Sequence, residues 1–241
     1  MLIDKLERAF VRLVLFFFGS LKVVGLENIP ATGPYILAVN HMSKADPPLV
    51  MISWPPMAKI RFFAGEKWEK HLIFGPLMRH SGAIYINRGE VDRRALRQAL
   101  AALGDGAVFG LAPEGTRSRV GALIQARDGA AYLASRADVP IVPVGMVNTD
   151  LLGHNMAHLR RTYVETRIGA PFRLPETVPR PKGDELAACT HLIMIQIAAL
   201  LPERYWGYYA DSPALEALLM GDDPWPACLE VTKATVPQAE T

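Results

Sequence analysis

Short apolar segments alternate with longer helical segments along the first 170 residues, and this alternation constrains the fold more than any other feature. Five apolar runs bounded by Gly, Pro or Asn have the length and composition of buried strands; they are residues 35–39, 60–64, 83–87, 107–111 and 141–147. Helical segments lie between them, at residues 67–80, 91–103 and 128–137. Strands that alternate with helices form α/β layers. The sequence therefore predicts an α/β fold, a single domain whose central, largely parallel or mixed sheet is flanked by helices.

The remainder of the chain continues this pattern and then changes in composition. Residues 163–168 are predicted to form a further strand, and residues 184–201 a long helix. Beyond Pro213 the sequence becomes rich in proline and acidic residues. We therefore predict a main domain over residues 22–210 and an acidic, Pro-containing C-terminal tail over residues 211–241, partly disordered.

The N-terminal segment, residues 1–21, is unusually apolar. Its uninterrupted apolar part, residues 13–21, is far shorter than the roughly 20 residues that span a bilayer. Three consecutive phenylalanines, residues 16–18, are too apolar for a helix that faces water, and basic residues accompany them. This composition predicts an amphipathic helix that lies in the membrane interface. A helix packed on the protein's own core is the alternative.

Charge is distributed unevenly between the two ends of the chain. Residues 1–170 carry 21 basic and 14 acidic side chains, whereas residues 171–241 carry 5 and 10. A basic body suits an anionic partner such as phospholipid headgroups or phosphorylated substrates, although an ordinary solvated surface also explains it. The arginines are dispersed without interleaved aromatic residues, so nucleic acid is not an expected partner.

Cysteine usage excludes two further classes of protein. The chain has two cysteines, Cys189 and Cys228, and neither a CxxC pair nor histidines at metal spacing accompany them. A disulfide framework or a structural zinc site is therefore not expected.

The first polar cluster, residues 40–47, directly follows the strand at residues 35–39. Active groups of α/β sheets collect where strands end. His41 and Asp46 are five positions apart across a tight turn, so the carboxylate can hold one ring nitrogen protonated and leave the other free to take a proton. Ser43 is a candidate cap for the helix that follows. A purely structural hydrogen bond between His41 and Asp46 is the alternative.

Three more clusters follow predicted strands or form part of one. Glu114, Gly115, Thr116 and Arg117 form a turn whose backbone N–H groups and guanidinium suit a phosphate, although a surface turn with a salt bridge is also possible. The segment at residues 82–88 delivers Arg88 at another strand end. The strand that begins at Pro140 contains prolines, which favour an edge or a bulged position.

In order and spacing, these four segments resemble the motifs of the glycerolipid acyltransferase family typified by 1-acylglycerol-3-phosphate acyltransferase. Asn40 to Asp46, which reads Asn-His-x-Ser-x-x-Asp, resembles the family's first motif, with Ser43 as the serine. The segments at residues 82–88, 113–118 and 139–144 resemble the second, third and fourth motifs. The resemblance covers roughly residues 20–210, and it departs from the family at Ala112 and Asn87.

The resemblance implies an acyltransferase domain at residues 22–210 that moves a fatty acyl group from acyl-CoA or acyl carrier protein to the hydroxyl of 1-acyl-glycerol-3-phosphate. It implies that His41 is the base and that Asp46 orients it. Residues expected to bind the acceptor phosphate are Glu114, Gly115, Thr116, Arg117 and Arg88; Asn40, Ser43 and Pro140 are expected to support the site. No cofactor or metal is expected beyond the acyl co-substrate.

The resemblance also implies a lysophosphatidate-like acceptor and membrane lipid as partners. The protein is then expected to be peripheral or monotopic on the cytoplasmic face of the membrane. Two alternatives remain: the same chemistry on lyso-ornithine lipid, a glycolipid or another lysophospholipid, and a catalytically silent lipid-binding relative. The chain contains no Gly-x-Ser-x-Gly segment, which disfavours an α/β-hydrolase.

Overall fold

The computed structural model describes residues 2–55, 60–72, 74–86 and 92–235. The strands are β1 (Gly19–Val24), β2 (Tyr35–Val39), β3 (Ile60–Gly65), β4 (Ala83–Ile86), β5 (Val108–Leu111), β6 (Ile141–Val147) and β7 (Thr162–Ile168). The helices are α1 (Leu2–Phe18), α2 (Asp46–Ser53), α3 (Phe74–His80), α4 (Arg93–Gly104), α5 (Gly129–Ala137), α6 (Thr149–Ala157), α7 (Asp184–Ala198), α8 (Pro213–Met220) and α9 (Trp225–Thr235).

The strands form one mixed sheet in the order β1-β7-β6-β2-β5-β3-β4. Strands β6, β2, β5, β3 and β4 are parallel to one another, whereas β7 is antiparallel to β6, and β1 runs parallel to β7. The carboxyl ends of the five parallel strands therefore lie at one edge of the sheet, here called the site edge. The predicted α/β fold with a flanked, mixed sheet is confirmed.

Helices cover both faces of the sheet. On one face, α4, α5, α7, α8 and α9 enclose a large apolar core, in which α7 is nearly all buried. On the other face, α1, α2 and α6 cover a second core that includes Leu49 and Trp54. Burial on both faces explains why β2, β5 and β6 are continuous apolar runs rather than alternating ones.

Helix α1 has two different apolar sides. On the inner side Leu15 is buried, and Arg8 donates a hydrogen bond of 2.8 Å from Nη1 to the carbonyl oxygen of Trp54. The outer side carries side chains that are 55 to 68% exposed, namely Leu6, Phe10, Leu13, Phe16 and Phe17. Helix α1 thus packs on the core while keeping an exposed apolar side. No helix in the described ranges is both long and apolar enough to cross a bilayer.

The predicted N-terminal helix extends too far at its C-terminal end. The helix ends at Phe18, and residues 19–21 begin β1, which pairs with β7. Edge pairing overrides local apolar composition here because the backbone of Gly19 to Val24 finds hydrogen-bond partners on β7. Likewise, the predicted helix at residues 67–80 is replaced by a short 3-10 turn at Glu66–Trp68 and the later helix α3.

Strand β6 lies inside the sheet, between β7 and β2, so the predicted edge position is wrong. The pairing is irregular at β6, but the extra residue lies in the partner segment after β7 and not in β6 itself. Three residue steps separate Ile141 from Val144 on β6, whereas four separate their partners, Phe172 and Ile168. The extra residue makes the pairing irregular beside Pro143, which has no N–H to donate.

The prediction of a partly disordered tail is wrong for residues 213–235, which form α8 and α9 against α7. Ser212 caps α8 by accepting the N–H of Leu215, and Pro213 occupies the first turn, where proline fits. The side chains of Ala214, Leu215 and Cys228 are fully or almost fully buried. Proline and acidic residues here mark helix starts and an exposed face rather than disorder. Residues 236–241 of the predicted tail lie outside the described part of the chain.

Candidate active site

The loops that follow β2 and β5 meet at the site edge, because the two strands are adjacent and parallel. The N–H of His41 donates to Glu114 Oε1 (2.9 Å), and the N–H of Ser118 donates to the carbonyl oxygen of His41 (2.8 Å). The first and second polar clusters of the sequence are therefore joined through the backbone of His41.

The imidazole of His41 is held by Asp46. Its Nδ1 lies 2.8 Å from Asp46 Oδ2, and the side chain of His41 is 21% exposed whereas that of Asp46 is 2% exposed. A carboxylate only accepts hydrogen bonds, so Nδ1 carries the proton in the neutral ring and Nε2 has a free lone pair. The ring is thus oriented on one side and remains partly exposed, as a general base requires.

Asp46 is itself fixed by the backbone of the same loop. Its Oδ2 also accepts the N–H groups of Met42 (2.8 Å) and Ser43 (2.7 Å). Three donors therefore converge on one carboxylate oxygen. These bonds require the tight turn that the spacing of His41 and Asp46 predicted.

Ser43 does not cap α2. The N-terminal cap position is Ala45, and Ser43 Oγ instead accepts the N–H of Ala45 at 3.2 Å. Ser43 therefore stabilises the loop that precedes α2 and not the first turn of the helix. It supports the position of Asp46 through the loop backbone.

Glu114 connects the two loops and does not face solvent. Glu114 is 1% exposed. Its Oε1 accepts the N–H of His41, and its Oε2 accepts the N–H of Ile124 at 3.1 Å. A carboxylate buried in this way cannot reach a ligand phosphate. The predicted phosphate contact is therefore wrong for Glu114, and the geometry gives it a positioning role toward His41.

Burial raises the pKa of Glu114 to about 7, against the opposing effects of the two backbone N–H donors and the imidazole of His41. A folded-state pKa above the ordinary value means that the folded protein binds the proton more tightly than the unfolded chain. The contribution of this proton to the free energy of unfolding is fully present below about pH 4.5 and is lost as the pH rises through about 7. This loss is on the order of 3 kcal/mol.

We expect a Glu114→Gln variant to lack this pH-dependent loss of stability. The glutamine keeps the shape but does not ionise, so the stability of the variant relative to the wild type should rise between pH 5 and pH 8. Urea unfolding of both proteins at the two pH values measures the difference. A constant difference would contradict the elevated pKa of Glu114.

The turn that is predicted to bind phosphate is open to solvent. Gly115 and Thr116 are exposed and Arg117 is half-buried. Gly115 has φ of 69°, a left-handed conformation that glycine adopts without strain. Within the described ranges the guanidinium of Arg117 makes no hydrogen bond or ion pair, so its donors remain available to a ligand.

Arg127 is a second arginine at this turn. A Cβ placed on Gly115 would lie 3.0 Å from Arg127 Cδ, so this side chain packs across the turn. Neither a motif nor a short spacing connects Arg127 to Arg117 in the sequence. Its position depends on the loop that returns over the turn.

That loop, residues 121–127, is held by the C-terminal part of the domain. The N–H of Leu123 donates to the carbonyl oxygen of Tyr205 (2.8 Å), and the N–H of Ala126 donates to the hydroxyl of Tyr209 (3.1 Å). The two tyrosines thus fix the backbone that reaches Glu114 through Ile124. No local sequence signal indicated this support, because it joins segments about 80 residues apart.

The remaining predicted site residues have different outcomes. Asn40 is fully buried and supports the loop: its amide exchanges two hydrogen bonds with the backbone of Met146, at 2.7 and 3.1 Å. Pro140 precedes the first residue of β6 and is level with Tyr35 on β2, six residues before His41, or about 20 Å at the usual rise per residue. The structure therefore does not bring Pro140 to the site, and that prediction is wrong. Arg88 lies outside the described residues.

Comparison with known proteins gives a uniform picture. The family model described as Acyltransferase matches residues 20–147. A yeast (Saccharomyces cerevisiae) 1-acyl-sn-glycerol-3-phosphate acyltransferase is 32% identical over 157 residues, which cover 60% of this chain and 49% of the relative. The Bacillus subtilis protein of the same name is 22% identical over 190 residues, covering 79% and 92%. The chain thus spans about half the length of the yeast relative.

A solved structure is also similar. The crystal structure of the 1-acyl-sn-glycerophosphate (LPA) acyltransferase from Thermotoga maritima has a TM-score of 0.65 and 25% sequence identity, and the match covers 82% of this chain and 78% of that one. The similarity therefore includes most of the sheet and its flanking helices.

Proposed function

This chain belongs to the acyltransferase family, and from that premise we propose that it transfers a fatty acyl group from an acyl thioester to the free hydroxyl of 1-acyl-glycerol-3-phosphate. One observation carries the proposal. A histidine that is oriented by a buried aspartate and is 21% exposed lies on a loop bonded directly to the arginine-containing turn.

In the proposed reaction, His41 Nε2 takes the proton of the acceptor hydroxyl as its oxygen attacks the thioester carbonyl. A new C–O bond forms and the C–S bond breaks. The imidazolium then returns the proton to the leaving thiolate, so the site is unchanged after each turnover. Asp46 stabilises the imidazolium that forms between these steps, because its carboxylate lies 2.8 Å from Nδ1.

The acceptor is proposed to bind through its phosphate to the turn that contains Gly115, Thr116 and Arg117. An arginine can donate two parallel hydrogen bonds to phosphate oxygens. Arg127 brings a second cation to the same turn. Arg88 remains a proposed contact from sequence alone.

The donor is proposed to be acyl-CoA or acyl carrier protein, with phosphatidate for phospholipid biosynthesis as the product. No additional cofactor is proposed. Among the described residues, no group of three or more His, Cys, Asp and Glu side chains is arranged to bind a metal.

Direct transfer without a cysteine-linked intermediate makes a simple prediction. Cys189 and Cys228 are both fully buried, and burial raises the pKa of each thiol to about 12, so neither is a competent nucleophile at neutral pH. A Cys189→Ala, Cys228→Ala double variant is expected to keep kcat within about threefold of the wild type. A loss of more than a hundredfold, in a protein that retains its Tm, would contradict direct transfer.

The exposed side of α1 supports a peripheral or monotopic position on a membrane, with the cytoplasmic face as the proposed side. Its apolar residues recur at four- and three-residue spacing on one helical face, as in helices that lie in the lipid interface. An acyl chain resides in the bilayer, so this position brings the site edge near the substrate.

Purified protein with lysophosphatidate and labelled acyl-CoA tests the proposed function. We expect labelled phosphatidate. A parallel panel of lyso-ornithine lipid, lysoglycolipid and other lysophospholipids identifies the preferred acceptor. Transfer to one of these lipids and none to lysophosphatidate would refute the proposed acceptor but support acyl transfer as the reaction. Absence of transfer to every acceptor would refute acyl transfer itself.

Removing Arg117 is expected to weaken acceptor binding more than chemistry. An Arg117→Ala variant loses charge-assisted hydrogen bonds to the phosphate, which corresponds to a roughly 10- to 100-fold rise in KM for lysophosphatidate. The matched control is Arg119→Ala, which removes a neighbouring exposed arginine. A monoacylglycerol acceptor, which has no phosphate, should respond to Arg117→Ala by much less. An equal rise in KM for both acceptors would exclude a phosphate contact.

A further inference from the structure

Helix α6 ends in a hydrogen-bonded turn that presents a leucine to solvent. The N–H of Leu159 donates to the carbonyl oxygen of Met156 (3.1 Å), and the N–H of Arg160 donates to that of Asn155 (2.8 Å). This pair of bonds is the Schellman arrangement, in which the residue at the position of Leu159 is usually glycine. Leu159 has φ of 53° and is 85% exposed. A leucine therefore occupies a strained and solvated position that glycine would fill more easily.

The chain segment that contains this turn carries basic residues and no acidic residue. Arg160 and Arg161 follow Leu159 and are exposed, and residues 151–164 contain neither Asp nor Glu. Arg161 Nη2 donates to the carbonyl oxygen of Gly19 (2.8 Å), the residue directly after α1. Residues 8–24 likewise contain no acidic residue. Arg161 thus connects the turn to the end of α1, and the two segments together are here called the turn patch (residues 10–18 and 159–161).

The turn patch lies at the same edge of the sheet as His41. Strands β1 and β7 run opposite to β2, so their first residues, Gly19 and Thr162, lie where β2 ends. Strand β7 is two positions from β2 in the sheet, a separation of about 10 Å at the usual strand spacing. A surface that contacts the turn patch therefore also approaches the loop that carries His41.

We propose that the turn patch docks the protein on an anionic phospholipid bilayer, with Leu159 inserted among the acyl chains and Arg160 and Arg161 on the lipid phosphates. This inference rests on the proposed function only to explain why docking on lipid would be useful. The contact with the bilayer does not itself require catalysis. Together with the exposed side of α1, the turn supplies a second point of contact. Two points fix the orientation of the protein, so that the site edge faces the lipid.

A second copy of the chain is the competing occupant of this surface. A symmetric dimer through the turn patch would bring Arg160 and Arg161 of both copies together without an acidic partner in either segment, and like charges oppose this arrangement. An anionic bilayer supplies the missing negative charge. Charge complementarity therefore favours the bilayer.

The proposal is tested by the binding of the full chain to phosphatidylcholine vesicles with and without phosphatidylglycerol. Leu159→Gly is the informative variant, because glycine suits the left-handed turn and should preserve the Tm. We expect about tenfold weaker binding to the anionic vesicles for Leu159→Gly. Arg160→Ala should bind about fivefold more weakly, from the usual contribution of one arginine at an anionic surface.

Arg136→Ala is the matched control. It removes an exposed arginine from the end of α5, at the opposite edge of the sheet, and should bind vesicles like the wild type. Acyl transfer between short-chain, water-soluble substrates should be unchanged in all three variants, because none of these residues belongs to the active site.

Vesicle binding is measured without substrate, so it does not depend on acyl transfer. If the wild type transfers no acyl group and the variants still differ from it in vesicle binding, the proposed function is refuted and this inference stands. Unchanged binding of both Leu159→Gly and Arg160→Ala to anionic vesicles would overturn the inference. A wild-type dimer that Leu159→Gly converts to monomer, with vesicle binding unchanged, would overturn it in favour of self-association.

Discussion

Replacing His41 with alanine is expected to lower kcat for acyl transfer by about three orders of magnitude. A general base that is positioned against a reacting hydroxyl contributes about 10²- to 10⁴-fold. The hydrogen bonds that His41 makes to Glu114 and Ser118 use its backbone N–H and carbonyl, so they survive the substitution. The variant should therefore fold normally and fail in the chemical step. Labelled phosphatidate formation and thermal unfolding together measure both properties.

Lys44→Ala is the control for His41→Ala. Lys44 is exposed on the same loop and has no proposed part in the reaction, so its removal should leave kcat within about twofold. A His41→Ala protein with undiminished kcat would show that another group takes the proton from the acceptor. A raised KM with unchanged kcat would give His41 a role in binding only.

Asp46→Asn is expected to lower kcat by about 10²- to 10⁴-fold, the second largest effect. Three donors converge on Asp46 Oδ2, and one of them is the Nδ1–H of His41. Asparagine keeps the size of the side chain but not its negative charge. The imidazolium that forms during transfer then has no compensating charge, and the ring is no longer held strongly in one tautomer.

Stability separates this role of Asp46 from a structural one. The other carboxylate oxygen of Asp46, Oδ1, is buried and has no hydrogen-bond partner in the described residues, so the native carboxylate is not fully satisfied. Replacing a buried charge by a neutral amide therefore should change the Tm by only a few degrees. A folded Asp46→Asn protein with full activity would contradict a catalytic role for the carboxylate.

The parts of the fold that sequence predicted well are those with strong local signals. Strands β2 and β6 are continuous apolar runs bounded by Pro, Gly or Asn, and their bounds match the prediction. The dyad of His41 and Asp46 was also predictable, because the turn that joins them is local. Adjacent parallel strands then brought the Glu114 to Ser118 turn to the same place, as the α/β pattern implied.

The parts that failed depend on long-range contacts. The β1 segment is as apolar as the end of a helix, and only its pairing with β7, more than 140 residues away, makes it a strand. Composition alone suggested a partly disordered tail over residues 211–241, but burial of Leu215 and Cys228 against α7 stabilises two helices within it.

Individual side chains show the same limit. Glu114 was assigned to the phosphate because it neighbours Arg117 in sequence, but its side chain turns inward to the N–H groups of His41 and Ile124. Pro140 was assigned to the site because its motif accompanies the others, but it lies at the beginning of its strand rather than the end. A motif identifies residues that occur together, and only the strand direction decides which of them share an edge.

The most direct measurement is a structure of the wild-type protein with bound lysophosphatidate. We predict the free hydroxyl of the lipid within hydrogen-bond reach of His41 Nε2, at about 3 Å, and the phosphate on the guanidinium of Arg117. A lipid whose phosphate binds elsewhere, with its hydroxyl beyond the reach of that imidazole, would contradict the assignment of the two loops to one active site.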